Sequence, residues 1–420
     1  MKQAKLIYQN YHNSEVIAIQ LPLSKSESNR VLILQYLSKG KIRADVYSEA
    51  KDTILLEKAL NAMALNQENP TKLWCKDAGT VARFLLALCA FESGVFELSG
   101  TARLQKRPML ALISALRQMG ATILCLGEEG FLPVVVHGGI ISAYDIEVDP
   151  SESSQFVSAL MLVAPFLPQG LTIKLSAEPV SVSYIHLTAK LLKQAGFVTE
   201  ISKQEVRIPA QSFQTVELSI GADWSAAVFF YAYVALSKSH IFLPGLLLNS
   251  PQGDVVLKRF MAYFGVQSKE DEKGLFIQKE ETPFKPNFFS INLINCPDLA
   301  PVFLTYCAIQ GFSCAIYGLE TLSKKESDRT AELATTFAAF GVSFIKKADC
   351  WKLEGKAKNP GSITLSTAND HRLVMAYALF ALVFDNIYLN DIDCVEKSFP
   401  AFWDELKKIG FNLTHRKINE

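Results

Sequence analysis

No excess of either charge runs through this 420-residue chain: lysine plus arginine and aspartate plus glutamate each total 42. A neutral balance gives no global field to draw in nucleic acid or an anionic membrane, so any anion site must be built locally. Metal-type cysteine spacing is missing as well. The eight cysteines include no Cys-x-x-Cys pair and no cysteine–histidine cluster, which argues against a zinc site and against a disulfide framework. Reduced, mostly buried thiols fit a cytosolic protein. Apolar runs such as Leu373 to Phe384 fall short of a membrane span, and the N-terminal MKQAKLIYQNYHNSE has no apolar core of signal-peptide type. No Gly/Ser-rich or low-complexity linker interrupts the chain. These absences predict a cytoplasmic, metal-independent protein without nucleic-acid or membrane partners.

What is present is a hydrophobic content of 49%, enough at this length for two cores rather than one. Self-similarity is weak in letters and strong in pattern. Six times a turn of Ser, Asp or small residues opens an apolar helix: at Lys25, Asp77-Ala78-Gly79-Thr80, Ser151 to Gln155, Ala222 to Ser225, Cys296-Pro297-Asp298 and Asn369-Asp370-His371-Arg372. After the first interval the openings recur roughly every seventy to seventy-five residues, a period suited to a small α/β subdomain. Each is followed by a second, amphipathic helix: Asp52 to Met63, Pro108 to Met119, Tyr184 to Ala195, Asp254 to Phe264, Glu326 to Phe340 and Phe399 to Ile409. All but the first of these stop at a glycine. Short β-branched runs lie between, among them Phe131 to Val136, Leu171 to Leu175 and Ile363 to Leu365.

The unit reads β-α-β-α-β-β, six times over. Its first helix is apolar nearly all round, as in Arg83 to Ala90 or Ala226 to Leu236, and so belongs inside a domain. Six buried helices are hard to place around one core, and three per domain is the natural division. Repeat phase puts the boundary near Gly221 to Asp223.

The chemistry gathers at the helix openings. Ser24-Lys25-Ser26-Glu27-Ser28-Asn29-Arg30 follows an extended run, Val16 to Leu23, and leads into an apolar helix. Free N–H groups and the positive end of the helix dipole meet there, so a phosphate or carboxylate can be held without a metal. Ser26 and Arg30, four apart, face the same way on the first turn. A plainer reading makes Ser24 and Glu27 a capping box and the cations solvated surface. Against it stands the placement of the cations. Lys25, Arg30, Arg83, Arg103, Lys325, Arg329, Arg372 and Lys397 all lie at or beside openings, not on the outer faces of the second helices. Arginine in particular suits bidentate binding of carboxylate or phosphate.

These residues carry a family resemblance. Leu21-Pro22-x-Ser24-Lys25-Ser26-x-Ser28-Asn29-Arg30, Asp77-Ala78-Gly79-Thr80-x-x-Arg83, Arg103-x-x-Lys106-Arg107-Pro108 and Ser153-Ser154-Gln155-Phe156 come first. Pro297-Asp298, Lys325-Glu326-Ser327-Asp328-Arg329, Asn369-Asp370-His371-Arg372 and Lys397-Ser398-Phe399-Pro400 complete the set. In this order the chain resembles the 5-enolpyruvylshikimate-3-phosphate synthase family, the 3-phosphoshikimate 1-carboxyvinyltransferases. The resemblance implies an α/β fold of two similar domains, each of three β-α-β-α-β-β repeats with buried helices (an inside-out α/β barrel), and an active site in the interdomain cleft. The expected domains are residues 1–22 with 222–420, completed by the N-terminal strand, and residues 23–221.

It also implies the substrates, shikimate-3-phosphate and phosphoenolpyruvate, with no cofactor, a monomeric enzyme and sensitivity to glyphosate. By carry-over, Lys25, Ser26, Arg30, Ser153, Ser154, Gln155, Ser181, Asp298 and Lys325 hold shikimate-3-phosphate. Lys25, Gly79, Arg103, Gln155, Arg329, Arg372 and Lys397 surround phosphoenolpyruvate. Asp298 is the candidate base, and Glu326, with Lys25 as partner, the candidate for proton traffic at the methylene carbon. A carboxylate with an ordinary pKa is a weak base, so geometry and neighbouring cations must supply most of the effect.

Each assignment has a structural rival. Asp298 after a proline reads as an N-cap, and Glu326 with Ser323 as a capping box. His371 reads as structural, and Phe229 to Tyr233 as core. Several positions depart from the family: Asp77 stands for a common Asn, Phe84 for Pro, Leu23 for Gly, and Thr321-Leu322-Ser323 for an Asn-Trp-Arg-like stretch. Two other functions compete. The fold relative that transfers enolpyruvyl to a UDP-linked amino sugar, UDP-N-acetylglucosamine, usually carries a cysteine in a mobile loop, and Thr101 to Met109 has none. The other is a catalytically silent relative that only binds a phosphorylated ligand.

Overall fold

The computed structural model describes residues 3–9, 16–65, 68–281 and 286–416. The first fifteen residues, read above as having no apolar core of signal-peptide type, lie partly outside them. The chain divides into two compact units, Met1–Leu23 with Gly221–Glu420 and Ser24–Ile220.

Unit Ser24–Ile220 carries helices α1 (Lys25–Leu37), α2 (Lys51–Leu65), α3 (Gly79–Phe91), a single turn α4 (Ala102–Gln105), α5 (Leu110–Gln118), α6 (Ser154–Val163) and α7 (Ser183–Gln194). The other unit carries α8 (Trp224–Ser237), α9 (Leu257–Tyr263), α10 (Ala300–Gln310), α11 (Arg329–Ala339), α12 (His371–Ala378) and α13 (Phe402–Lys408). The first helix of each repeat lies inside. α3 is buried continuously from Val81 to Ala90, α8 from Ala226 to Ala235 and α10 from Ala300 to Ile309. A helix without a polar stripe is stable only when surrounded, and α1, α3 and α6 pack on one another, as α10 does on α8 and α12. Phe229 to Tyr233 are core, as expected.

Around these helices stand the sheets, of which, among the described residues, five share one order. Thr71–Trp74 pairs parallel with Gly94–Ser99, which pairs antiparallel with Val134–Gly138, itself antiparallel to Thr122–Cys125. The helical crossover enforces the parallel pair and the closing hairpin the antiparallel one. In one sheet the hairpin is made across the chain: Gln3–Tyr8 lies between Ile387–Asn390 and Phe411–Arg416. The sixth sheet is only the pair Val216–Leu218 and Ile42–Ala44. Ile17–Ala18 pairs with His240–Pro244, so the first repeat of each unit takes its opening strand from the segment before the other crossing. Asp223 N–H donates to Pro22 O at 2.9 Å, and Leu23 bridges Ala222.

Second-helix boundaries shift where the sequence pattern ran through a turn. The helix expected from Glu326 begins at Arg329, because Asp328 caps it by accepting Ala331 N–H. Residues Glu320–Lys324 form a 3-10 turn, so Glu326 and Ser323 make no capping box. Residues Gly253–Val256 and Ile392–Lys397 are likewise 3-10 turns ahead of α9 and α13. The five glycines that end the outer helices, Gly120, Gly196, Gly265, Gly341 and Gly410, all have φ between 73° and 112°, the left-handed turn that only glycine adopts without strain.

Candidate active site

In unit Ser24–Ile220 the openings of α1, α3 and α6 present the predicted residues. Ser24 caps α1, its Oγ accepting Glu27 N–H at 3.3 Å. That half of the capping box holds. Lys25 follows, with Nζ 3.1 Å from Asp52 Oδ2 and both side chains largely sheltered from solvent. Arg30 differs from expectation. Its guanidinium turns into the protein, donating to Thr188 Oγ1 at 2.7 Å, Ser26 O at 2.8 Å, Ser158 Oγ at 3.2 Å and Tyr184 O at 3.4 Å. Four of its five N–H groups are engaged, and burial brings its pKa down to about 10. Arg30 therefore ties α1 to α6 and α7 and has little left for shikimate-3-phosphate. Phe84, a departure from the family, lies with its ring 5.2 Å from that guanidinium and stacks beneath it.

The α3 opening has no side-chain cap, which leaves its first N–H groups for a ligand. Gly79 stands there under Arg107: a Cβ at Gly79 would come within 2.5 Å of Arg107 Nη1. Gln155, at the α6 opening, is held on both sides of its amide, accepting from Arg83 Nη1 at 2.8 Å and donating to Thr80 Oγ1 at 3.0 Å. Ser153 caps α6 through Gln155 N–H at 3.2 Å, which leaves its own hydroxyl hydrogen to donate. Ser154 is buried at the first position of α6. Ser181 is buried with φ 51°, a left-handed strain of the kind kept at binding sites. Arg103 sits on α4, which Thr101 caps through Leu104 N–H at 3.4 Å. The hydroxyl of Thr101 donates to Asp77, so the carboxylate that replaces the family's Asn pins this loop.

In the other unit one arginine organises the charges. Arg329, 1% exposed, donates to Asp298 Oδ1 from Nη1 at 2.9 Å, to Glu326 Oε2 from Nη2 at 2.9 Å, and to Asp370 through Nε at 2.8 Å and Nη2 at 3.2 Å. This too differs from expectation: Arg329 clamps three carboxylates, and phosphoenolpyruvate can reach at most its remaining N–H. Lys325 Nζ lies 3.5 Å from Asp298 and Lys397 Nζ 3.3 Å from Glu326, which closes an alternating network. Asp298 does not stand at an N-cap position: it lies within the 3-10 turn Pro297–Leu299, whose N-cap is Cys296, and the helix that follows has Leu299 at its N-cap. Burial alone would raise its pKa, but Lys325, Arg372 and Arg329 hold it well below the carboxylate range. It is ionised at neutral pH.

Two left-handed residues, Ala368 (φ 48°) and Asn369 (φ 53°), precede the α12 opening. Asp370 caps it through Arg372 N–H at 2.9 Å, and the buried His371 lies beside Asp370, a structural place. Arg372 is 4% exposed. Its Nη1 donates to Ser225 O at 3.0 Å, while its buried Nε–H has no partner among the described residues. Thr321, where the family has Asn, keeps a buried hydroxyl that is likewise unpartnered.

The sequence reading missed Asp370, Asp52, Arg107 and Asp254, and left Arg83 out of the site although it noted the cation. Asp370 was legible as an N-cap; Asp52 and Asp254 open outer helices, a place where acidic residues are ordinary. Among the described residues no group of His, Cys, Asp and Glu is arranged to hold a metal ion, and no helix is long and apolar enough to cross a membrane.

Residues 14–406 match the family model described as EPSP synthase (3-phosphoshikimate 1-carboxyvinyltransferase). A Bacteroides fragilis 3-phosphoshikimate 1-carboxyvinyltransferase is 34% identical over 400 residues, 94% of this chain and 95% of that one. A Dehalococcoides mccartyi protein of the same name is 28% identical over 415 residues, covering 94% and 96%. Among solved structures, EPSP synthase from Acinetobacter baumannii superposes with a TM-score of 0.74 over 99% of this chain and 100% of that one, at 19% identity. The enolpyruvyl transferase NikO from Streptomyces tendae superposes with a TM-score of 0.72 at 13% identity, with both chains fully covered. These two share the fold.

Proposed function

Because the chain belongs to the EPSP synthase family, we propose that the helix openings described above carry its reaction, the transfer of the carboxyvinyl group of phosphoenolpyruvate to the 5-hydroxyl of shikimate-3-phosphate with release of phosphate. Lys25, Ser26, Ser153, Ser154, Gln155, Ser181 and Lys325 hold shikimate-3-phosphate. Lys25, Gly79, Arg103, Gln155, Arg372 and Lys397 hold phosphoenolpyruvate. Arg30 and Arg329 serve these sites from behind, as the anchors of α1 and of the carboxylate cluster.

Asp298 takes the proton of the 5-hydroxyl as that oxygen bonds to C2 of phosphoenolpyruvate. The C2–C3 π electrons meanwhile take a proton at C3 from the Glu326 carboxyl, with Lys25 as partner, to give a tetrahedral ketal. The Glu326 carboxylate then takes a C3 proton back, and the C3–H electrons rebuild the double bond as the C2–O bond to phosphate breaks and phosphate leaves. The cations that keep Asp298 ionised make it a weak base. Anionic substrates beside Lys325 and Arg372 offset that field and raise its basicity when the proton must move. The UDP-amino-sugar reaction is not favoured, since the family match is to the shikimate enzymes and the loop Thr101 to Met109 has no cysteine.

The observation that carries this reading is Arg372: a guanidinium anchored at one nitrogen, with a buried Nε–H that nothing among the described residues satisfies, is a donor awaiting an acid group. Phosphate release requiring both substrates tests it. Arg372→Gln should raise KM for phosphoenolpyruvate by about 10²-fold, from the lost charged hydrogen bonds, and change KM for shikimate-3-phosphate far less. An unchanged KM for phosphoenolpyruvate would remove Arg372 from the site.

A second expectation concerns Gly79. The methyl of Gly79→Ala must displace the Arg107 guanidinium and intrude on the α3 opening. The inhibition constant for glyphosate, which is longer than the substrate, should therefore rise by a larger factor than KM for phosphoenolpyruvate. Equal factors would mean that Gly79 shapes the whole pocket instead of discriminating between the two.

A further inference from the structure

Asp254 is a buried carboxyl that the reaction does not use, in the turn ahead of outer helix α9. Its Oδ2 accepts the hydroxyl hydrogen of Ser225, in the first turn of inner helix α8. The same turn is gripped twice more: Gln252 accepts Trp224 N–H at 2.8 Å and donates to Ala222 O at 2.8 Å. Ser225 O in turn receives Arg372 Nη1 at 3.0 Å. One chain of bonds thus runs from the turn Gly253–Val256 through α8 to the guanidinium on α12.

We infer that Asp254 is a positioning residue for the phosphoenolpyruvate site, fixing through Ser225 the backbone oxygen that aims Arg372. The inference rests on the assignment of Arg372 made above. Stability alone does not explain a carboxylate at this place. Burial, Asp298 and Asp223 push its pKa up to about 7, against the Ser225 hydroxyl and Arg372, which pull it down. Cys296, on the turn beside Asp298, is held uncharged because burial raises its pKa. Asp254 therefore titrates near neutrality among Asp298 and Cys296 of one turn, Asp223 at the α8 opening and Arg372 on α12. A group whose folded pKa lies above its ordinary value stabilises fully below the ordinary carboxylate pKa and loses that contribution as pH rises through 7. A neutral side chain would fold more stably at pH 8, so the carboxyl is held at a cost to stability, as functional groups are.

Steady-state phosphate release, with each substrate varied, tests this on the full-length protein. Asp254→Ala and Ser225→Ala should each raise KM for phosphoenolpyruvate about tenfold or more through misplacement of Arg372, and leave KM for shikimate-3-phosphate within about twofold. Asp254→Asn keeps an oxygen for the Ser225 hydroxyl. It should hold KM for phosphoenolpyruvate near wild type at pH 6 and melt above wild type at pH 8. A well-folded Asp254→Ala with unchanged KM for phosphoenolpyruvate, or with both KM values raised alike, overturns the inference. So does an Asp254→Asn as impaired as the alanine variant at pH 6. Should Asp254→Ala not fold, Ser225→Ala decides by the same criterion. If Arg372→Gln leaves KM for phosphoenolpyruvate unchanged, the assignment of Arg372 has failed; if it raises that KM and Asp254→Ala does not, only the present inference has.

Discussion

Replacing Lys25 by methionine should lower kcat by about 10²–10³ or more if, as proposed, the ammonium at the α1 opening faces charge that develops as the ketal forms and breaks. The fold should survive. Lys25 makes its visible bond to Asp52, 3.1 Å away, and its stem lies at a helix start where methionine fits. Stability falls modestly, by about 1–3 kcal/mol, since Asp52 is left largely buried without its partner. Lys25→Met with Asp52→Asn should recover that stability and none of the activity. Phosphate release and thermal melting on the three variants check this. A Lys25→Met protein with wild-type kcat would take Lys25 out of the chemistry, and recovery of turnover in the double variant would reduce it to a counter-ion.

Arg329→Met should have the largest effect on stability. One guanidinium holds Asp298, Glu326 and Asp370, and its removal leaves three sheltered carboxylates facing one another with Lys325, Lys397 and Arg372 as the remaining near cations. Breaking such a cluster costs about 3–5 kcal/mol, or roughly 10 °C in Tm for a unit of this size. The sign of its pH dependence follows from the carboxylates. In the wild type Asp298 sits below its ordinary pKa, so its contribution is present above the carboxylate range and lost only as pH falls through the depressed value. In the variant, Asp298 loses one of the cations that hold its pKa down, and stability returns as pH falls and its carboxylate takes up a proton. The gap in Tm between the two proteins should be wide at pH 8 and narrower at pH 5. A gap that is constant or widens toward pH 5 would show that Arg329 acts through packing, not charge.

Repeat architecture and helix placement were legible in the letters because they rest on local periodicity. An all-apolar helix such as Ala226 to Leu236 has no face to give to water, and a glycine after an amphipathic run marks a left-handed stop; both are properties of a few neighbouring residues. The ordered motifs likewise placed Lys25, Gly79, Gln155, Asp298 and Arg372 at helix openings, where a short segment decides the geometry. Only the tertiary structure decided what each charge is doing. Arg30 and Arg329 have the same signature as Arg372, an arginine at an opening, yet two of them turn inward and one keeps a donor unsatisfied. The difference lies in partners such as Thr188 and Asp370, 158 and 41 residues away. Asp254 was invisible for the same reason. Its distance from Ser225 and Arg372 in space is set by packing across two helices and a turn, and an electrostatic role depends on that distance and burial, neither of which local sequence encodes.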